Sequence, residues 1–215
     1  MNGNQGGPQM RQPEDPTQFA WPLEPHAGTA VLAAIEARRS TARMDTETEV
    51  PQAALERALA LATLAPNHRL TQPWRFSVVR GDARRRVGAA MSDESVASGR
   101  VAPQRAPLEA AKWLRAPVVV VVSHIPAADP VMCHEDRLAT GAAVQNLLLA
   151  LGAQGLATMW RTGAAAASAA VKEAVGLAPE EEIVAFVYVG WPLADAALPP
   201  RRRRPQEELT RWIDA

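Results

Sequence analysis

The chain has 215 residues, 47% of them hydrophobic, and its 23 Lys and Arg balance 23 Asp and Glu, so there is no formal net charge. That length suffices for one substantial core, and the composition excludes general disorder and a strongly nucleic-acid-seeking field. Cys133 is the sole cysteine, which rules out an internal disulfide or CxxC pair, and no apolar run approaches bilayer length. The sequence therefore predicts a soluble, cytoplasmic protein without nucleic-acid or membrane partners.

Residues 1–25 are dense in Pro, Gly and Gln without periodicity, and read as a flexible extension ahead of a single domain, 26–215. Val31, Ala34, Ile35 and Arg38 recur at helical spacing, predicting a helix over 30–39 that ends on Arg38-Arg39-Ser40. Arginines there also suit the negative end of a helix dipole. Pro51 opens a second helix to about Leu64, and Pro66 stops it. Trp74 to Arg80 reads as a strand with Trp74, Phe76 and Val78 on one face. Gly81-Asp82 then opens a short, arginine-studded helix, and 91–107 reads as a loop or weak helix.

The valines 118–122 predict a strand, 117–123, buried on both faces. Residues 133–152 predict the main helix. Leu138, Gly141, Ala142, Gln145, Leu148, Leu149 and Gly152 cover so much of its surface that it should be buried nearly all round, against the sheet or a partner chain. Strands follow at 156–162 and 183–189, with a short helix, 169–175, between them.

Arginines and a hydroxyl crowd into Arg38-Arg39-Ser40-Thr41-Ala42-Arg43, a donor set suited to an anion. Ala65-Pro66-Asn67-His68 and Gln72-Pro73-Trp74-Arg75-Phe76 follow. His68 also fits a cap on the preceding helix, Gln72 and Pro73 fit a turn, and Trp74 fits the core. Arg201 to Arg204 are a charge run of the kind usually left in solvent. His134-Glu135-Asp136 cannot converge on one ion, because consecutive helical residues project in different directions, so no metal is expected. Glu135 and Asp136 instead suit the positive end of the long helix, and Cys133 behaves as a small buried hydrophobe. Neither GxGxxG nor GxxxxGK[ST] is present, so a dinucleotide-binding domain and a P-loop are unsupported.

The order of these motifs, continued by Gly-Ala-Ala-Val-Gln-Asn-Leu, then Gly-Leu-Ala-Thr-Met-Trp-Arg-Thr-Gly and Ile-Val-Ala-Phe-Val-Tyr-Val-Gly-Trp-Pro, resembles the FMN-dependent nitroreductase family. Asn67-His68 and Trp160-Arg161-Thr162-Gly163 resemble its YdjA-like branch. The resemblance implies an α+β nitroreductase-like fold, with a mainly antiparallel sheet flanked by helices, and a homodimer. It also implies tightly bound FMN as cofactor, NAD(P)H as co-substrate and a nitro, quinone or similar small-molecule acceptor. By resemblance Arg38, Arg39 and Ser40 meet the flavin phosphate and nearby polar atoms, and Trp160, Arg161 and Thr162 form a second wall. Asn67, His68 and Gln72 make polar contacts, His68 and Trp160 face substrate, and Arg204 reaches the phosphate. Without a separate dinucleotide unit, reductant and acceptor would share one pocket. The alternatives are a flavin carrier, or an arginine-rich interaction module without turnover.

Overall fold

In the computed structural model the described residues are 25–195, 200 and 202–214. The expected extension lies almost wholly outside them. The chain divides into two compact units, Met1–Ala37 and Arg38–Ala215. Of the first, the described part is helix α1, Pro25–Ala37, which begins earlier than its periodicity suggests and stops just before Arg38.

The second unit is built on an antiparallel sheet of β1 (Met44–Asp45), β2 (Trp74–Arg80), β3 (Val118–His124), β4 (Ala157–Arg161) and β5 (Glu182–Pro192). β5 is central. It pairs with β3 on one side and β4 on the other, and β2 lies outside β3, while β1 joins the far end of β5. β1 spans two residues, too short for any period to show in the sequence.

The valine run explains the layering. Val118, Val120 and Val122 point into one core with α2 (Gln52–Ala62) and α5 (Pro130–Ala153), through Leu55, Leu147 and Leu151. Val119 and Val121 point into the opposite core with Val87, Met91 and Trp113. Successive strand residues face opposite ways, so a strand covered on both faces must be apolar throughout.

The second helical layer consists of α3 (Ala83–Ala97), α4 (Ala106–Ala110) and α6 (Ala169–Ala174). Here the expected short helix and loop are corrected: α3 runs on through Ala97. Its inward face carries Ser92 and Ser95, which hide the hydrophobic period; Ser92 Oγ donates to the Ala106 carbonyl at 2.9 Å. Gly88 permits this packing, because a Cβ there would run into the Ala110 carbonyl. On β2, Trp74 is core as expected, but Val78 is exposed and Val79 on the other face is buried.

The reading of the long helix also needs correction. α5 begins at Pro130, with the Asp129 carboxylate accepting from the Met132 N–H at 2.8 Å. Glu135 and Asp136 therefore lie too far along to serve its first turn. Nor is the helix buried all round within one chain: Ala143, Val144, Leu147 and Leu151 are buried, whereas Val131 and Leu138 are 66% and 62% exposed. Cys133 is half-buried. No helix among the described residues is long and apolar enough to cross a membrane.

Candidate active site

The chain leaves α1 in extended form, and Ser40 makes a parallel bridge with Thr158 while the Thr41 N–H donates to the Thr158 carbonyl at 3.0 Å. Two motifs distant in sequence are thereby fixed side by side: Arg38-Arg39-Ser40 lies along the edge of β4, which carries Trp160 and Arg161 and leads into Thr162. Arg38 and Arg39 are half-buried, and Ser40 is exposed. Arg39 donates to the Arg38 carbonyl at 3.1 Å.

Within β4 the side chains divide by face. Directly paired antiparallel residues share a face. Met159 and Arg161 stand with Tyr188 and Phe186 on the α3 side, whereas Trp160 stands with Val187 on the α5 side. Trp160 is 36% exposed, Thr162 is exposed and Arg161 is half-buried.

On the α3 side lie two adjoining cavities. One, of about 420 Å³, is bordered by Thr41, Ala42, Arg43 and Met44; the other, of about 520 Å³, reaches toward α3 and α4; both are lined by Arg115, Arg161 and Tyr188. Among the cations there, Arg43 pairs with Asp195 at 3.0 Å, Arg100 with Glu94 at 2.8 Å and Lys112 with Glu109 at 2.5 Å. Arg115 and Arg161 have no ion-pair or hydrogen-bond partner among the described residues. Burial raises the Tyr188 phenol above its ordinary value, and the charges of Arg161 and Arg115 pull it part of the way back.

Asn67, His68 and Gln72 lie elsewhere. They belong to the turn ahead of β2, where the Asn67 side chain receives the Gln72 N–H at 2.7 Å and donates to Thr71 Oγ1 at 2.8 Å. Thr71 donates in turn to buried Asp136, and His68 Nδ1 meets Glu135 Oε2 at 2.7 Å. These are the roles of Glu135 and Asp136: they dock the turn onto α5. His68 does not cap α2, whose end is closed by the backbone N–H and hydroxyl of Thr63. Arg69, Leu70 and Gln72 all have positive φ, at 55°, 52° and 46°. Such backbone costs energy in non-glycine residues, and the side-chain network holds it in place.

The sequence-predicted residues thus form two groups. β4 and β2 border opposite sides of the sheet order β4-β5-β3-β2, three strand spacings or about 14 Å apart. One chain does not bring Trp160 and His68 together through its sheet. Arg204 stands in exposed backbone ahead of the short turn Gln206–Glu208 and lines neither cavity; Arg201 lies outside the described residues. Sequence reasoning missed Arg115 and Tyr188. Arg115 belongs to no motif, and its only signal was a cation placed just before the Ala116-Pro117 entry to the strongest strand.

A further polar group closes the end of the sheet where β2 and β5 begin and β3 ends. His124, fully buried, meets Glu182 at 3.1 Å, and Glu182 also pairs with Arg137 of α5. Burial pushes the Glu182 carboxyl up, but hydrogen bonds from His124 and Arg137 and the Arg137 charge outweigh it, leaving the group below its ordinary value. Among the described residues no three His, Cys, Asp or Glu are grouped to hold a metal ion.

The nitroreductase family profile matches residues 35–191, most of the second unit and all five strands up to Trp191. The chain belongs to the nitroreductase family. It is 32% identical over 169 residues to the Escherichia coli K12 protein named "Putative NAD(P)H nitroreductase YdjA", covering 74% of this chain and 87% of that one. Among solved structures, a nitroreductase-like family protein from Bacillus cereus is 27% identical, with a TM-score of 0.77 over 86% of this chain and 96% of its own. An FMN complex from Desulfovibrio desulfuricans is 29% identical, with a TM-score of 0.65 over 86% and 97%.

Proposed function

We propose that this member of the nitroreductase family is an FMN-dependent NAD(P)H oxidoreductase that reduces a nitro, quinone or similar conjugated acceptor. The observation that carries the reading is the Ser40–Thr158 bridge, which sets an arginine and hydroxyl segment beside β4 and its Arg161, a cation without a partner among the described residues. The FMN bound by the D. desulfuricans protein and the NAD(P)H in the name of the E. coli relative support it.

The donor set fits the cofactor's chemistry. Arg38, Arg39 and Ser40 would hold its phosphate end, with Arg204 as a further cation. Arg161 and the backbone at Trp160 and Thr162 would hold the polar edge of the ring, where cationic donors stabilise negative charge. Bound FMN supplies reversible hydride chemistry, and the chain supplies position and electrostatics. Asn67, His68 and Gln72 complete the site from a second protomer. Val131 and Leu138 on α5, with Leu64 and Leu70 nearby in sequence to the docked turn, form apolar surface that a homodimer would cover. At Gly141 a Cβ would meet no atom, so a partner helix has room to approach. An obligate interface of this kind buries more than ~2,000 Å², and light scattering should find a dimer; a stable FMN-loaded monomer would refute that part.

Mass spectrometry of ligand released from flavin-saturated protein tests the central reading. About one FMN per chain is expected, together with NAD(P)H turnover. Recovery of FAD alone, or of no flavin, overturns it, and bound FMN without turnover would leave a carrier.

A further inference from the structure

The charges at the larger cavity do not balance. Arg100 and Lys112 are neutralised by Glu94 and Glu109, which leaves Arg115 and Arg161 as two cations without acceptors among the described residues. The phenol of Tyr188 is a third donor at the same place, and its raised titration keeps it protonated at neutral pH. Around these donors the wall mixes the apolar side chains of Met91, Val101 and Phe186 with the already paired Arg100 and Lys112. A cavity of about 520 Å³ is within the range that encloses a small organic molecule. Donors without acceptors, set in one cavity with apolar side chains, suit a small organic molecule that carries a single anionic group. A carboxylate matches the guanidinium fork of Arg115 and can accept from the phenol as well, so the site does not depend on Arg161, which the flavin ring would engage.

We propose that this cleft binds the carboxylate of a conjugated organic acid, that such an acid is the electron acceptor, and that Arg115 selects for it. The proposal rests on the reductase reading for the word acceptor, but not for the binding. Arg161 links the two: it lines the cleft from the strand that carries the proposed flavin wall, so an acid anchored there has its body beside that wall. Arg115 is exposed and lies outside the residues assigned to the cofactor, so it can be altered without touching them.

Benzoate, which cannot be reduced, and benzamide, its neutral counterpart, are titrated calorimetrically into the protein as purified. Benzoate is expected to bind at least about tenfold more tightly than benzamide. Arg115→Gln should lower benzoate affinity by about tenfold or more while leaving benzamide binding, FMN content and melting temperature unchanged, and Arg115→Lys should fall between. Equal affinity for the two probes, no benzoate binding, or an unaffected Arg115→Gln variant would overturn the proposal. Loss of FMN from Arg115→Gln would overturn it too, by assigning the cleft to the cofactor's own phosphate. A protein that takes no flavin at all would end the reductase reading, while benzoate titration would still decide the cleft.

Discussion

The β4 edge and the 67–72 turn carry the two groups of site residues expected from the sequence, and they are built in opposite ways. At β4, Arg115 and Arg161 present donors that no described residue accepts. In the turn, polar groups are spent internally: Asn67 on Gln72 and Thr71, Thr71 on Asp136, His68 on Glu135. Unspent donors stabilise nothing until a ligand arrives, whereas the spent ones hold a costly backbone in a fixed shape. The difference separates a binding half from a preorganised half, and predicts that substitutions in the two regions will fail different assays.

The largest effect should come from the binding half. Arg161→Ala and Arg38→Ala each remove a charge-assisted hydrogen bond worth roughly 1.5–3 kcal/mol, which amounts to about a ten- to a hundredfold loss in FMN affinity. Fluorescence titration of flavin into stripped protein measures it. The melting temperature of the flavin-free Arg161→Ala variant should stay at the wild-type value. A drop there would mean that Arg161 already has a structural duty, and the contrast would fail.

How far these regions were legible in sequence follows the same physics. β3 was plain because burial on both faces demands an unbroken apolar run, and β2 was plain from its aromatic and branched residues between turn signals. α3 was cut short because Ser92 and Ser95 occupy its buried face, where a hydroxyl bonded to a carbonyl passes for a surface residue. The start of α5 was misplaced although Asp129-Pro130 is an N-cap followed by a favoured first residue. The motif residues on β4 were singled out by the order of short sequence patterns. Arg115 and Tyr188 were not, because the cleft exists only where the segment after α4 meets β4 and β5, and no local pattern encodes that meeting. The docking of the turn by Glu135 and Asp136 was missed for the same reason.

In the preorganised half the expected loss is one of stability. Thr71→Val keeps the shape but removes the donor to Asp136, which is only 4% exposed, and the acceptor for the Asn67 amide. A buried charged acceptor left short of a partner costs about 2 kcal/mol, or roughly 4–8 °C in Tm for a chain of this size. His68→Ala breaks a pair whose side chains are 61% and 38% exposed, so it should cost less than about 1 kcal/mol. If thermal melts gave the reverse order, the turn would be held by its surface contact rather than by its buried one.

The smallest effect concerns the polar closure at the end of the sheet, and its sign can be worked out. Glu182 titrates below its ordinary value of 4.5, since the contacts with His124 and Arg137 outweigh the opposing effect of burial. A carboxyl depressed on folding contributes stability that is fully present above its unfolded value. That contribution disappears as pH falls through the lower folded value. Glu182→Gln removes this one contribution, so the variant should show a shallower fall in Tm than wild type between about pH 5 and pH 3. The side chain is 44% exposed, so solvent screening keeps the difference small. Melting curves across that range decide it: if wild type and Glu182→Gln lose stability equally on acidification, the His124–Glu182–Arg137 contact is not an electrostatic clasp, and packing alone closes that end of the sheet.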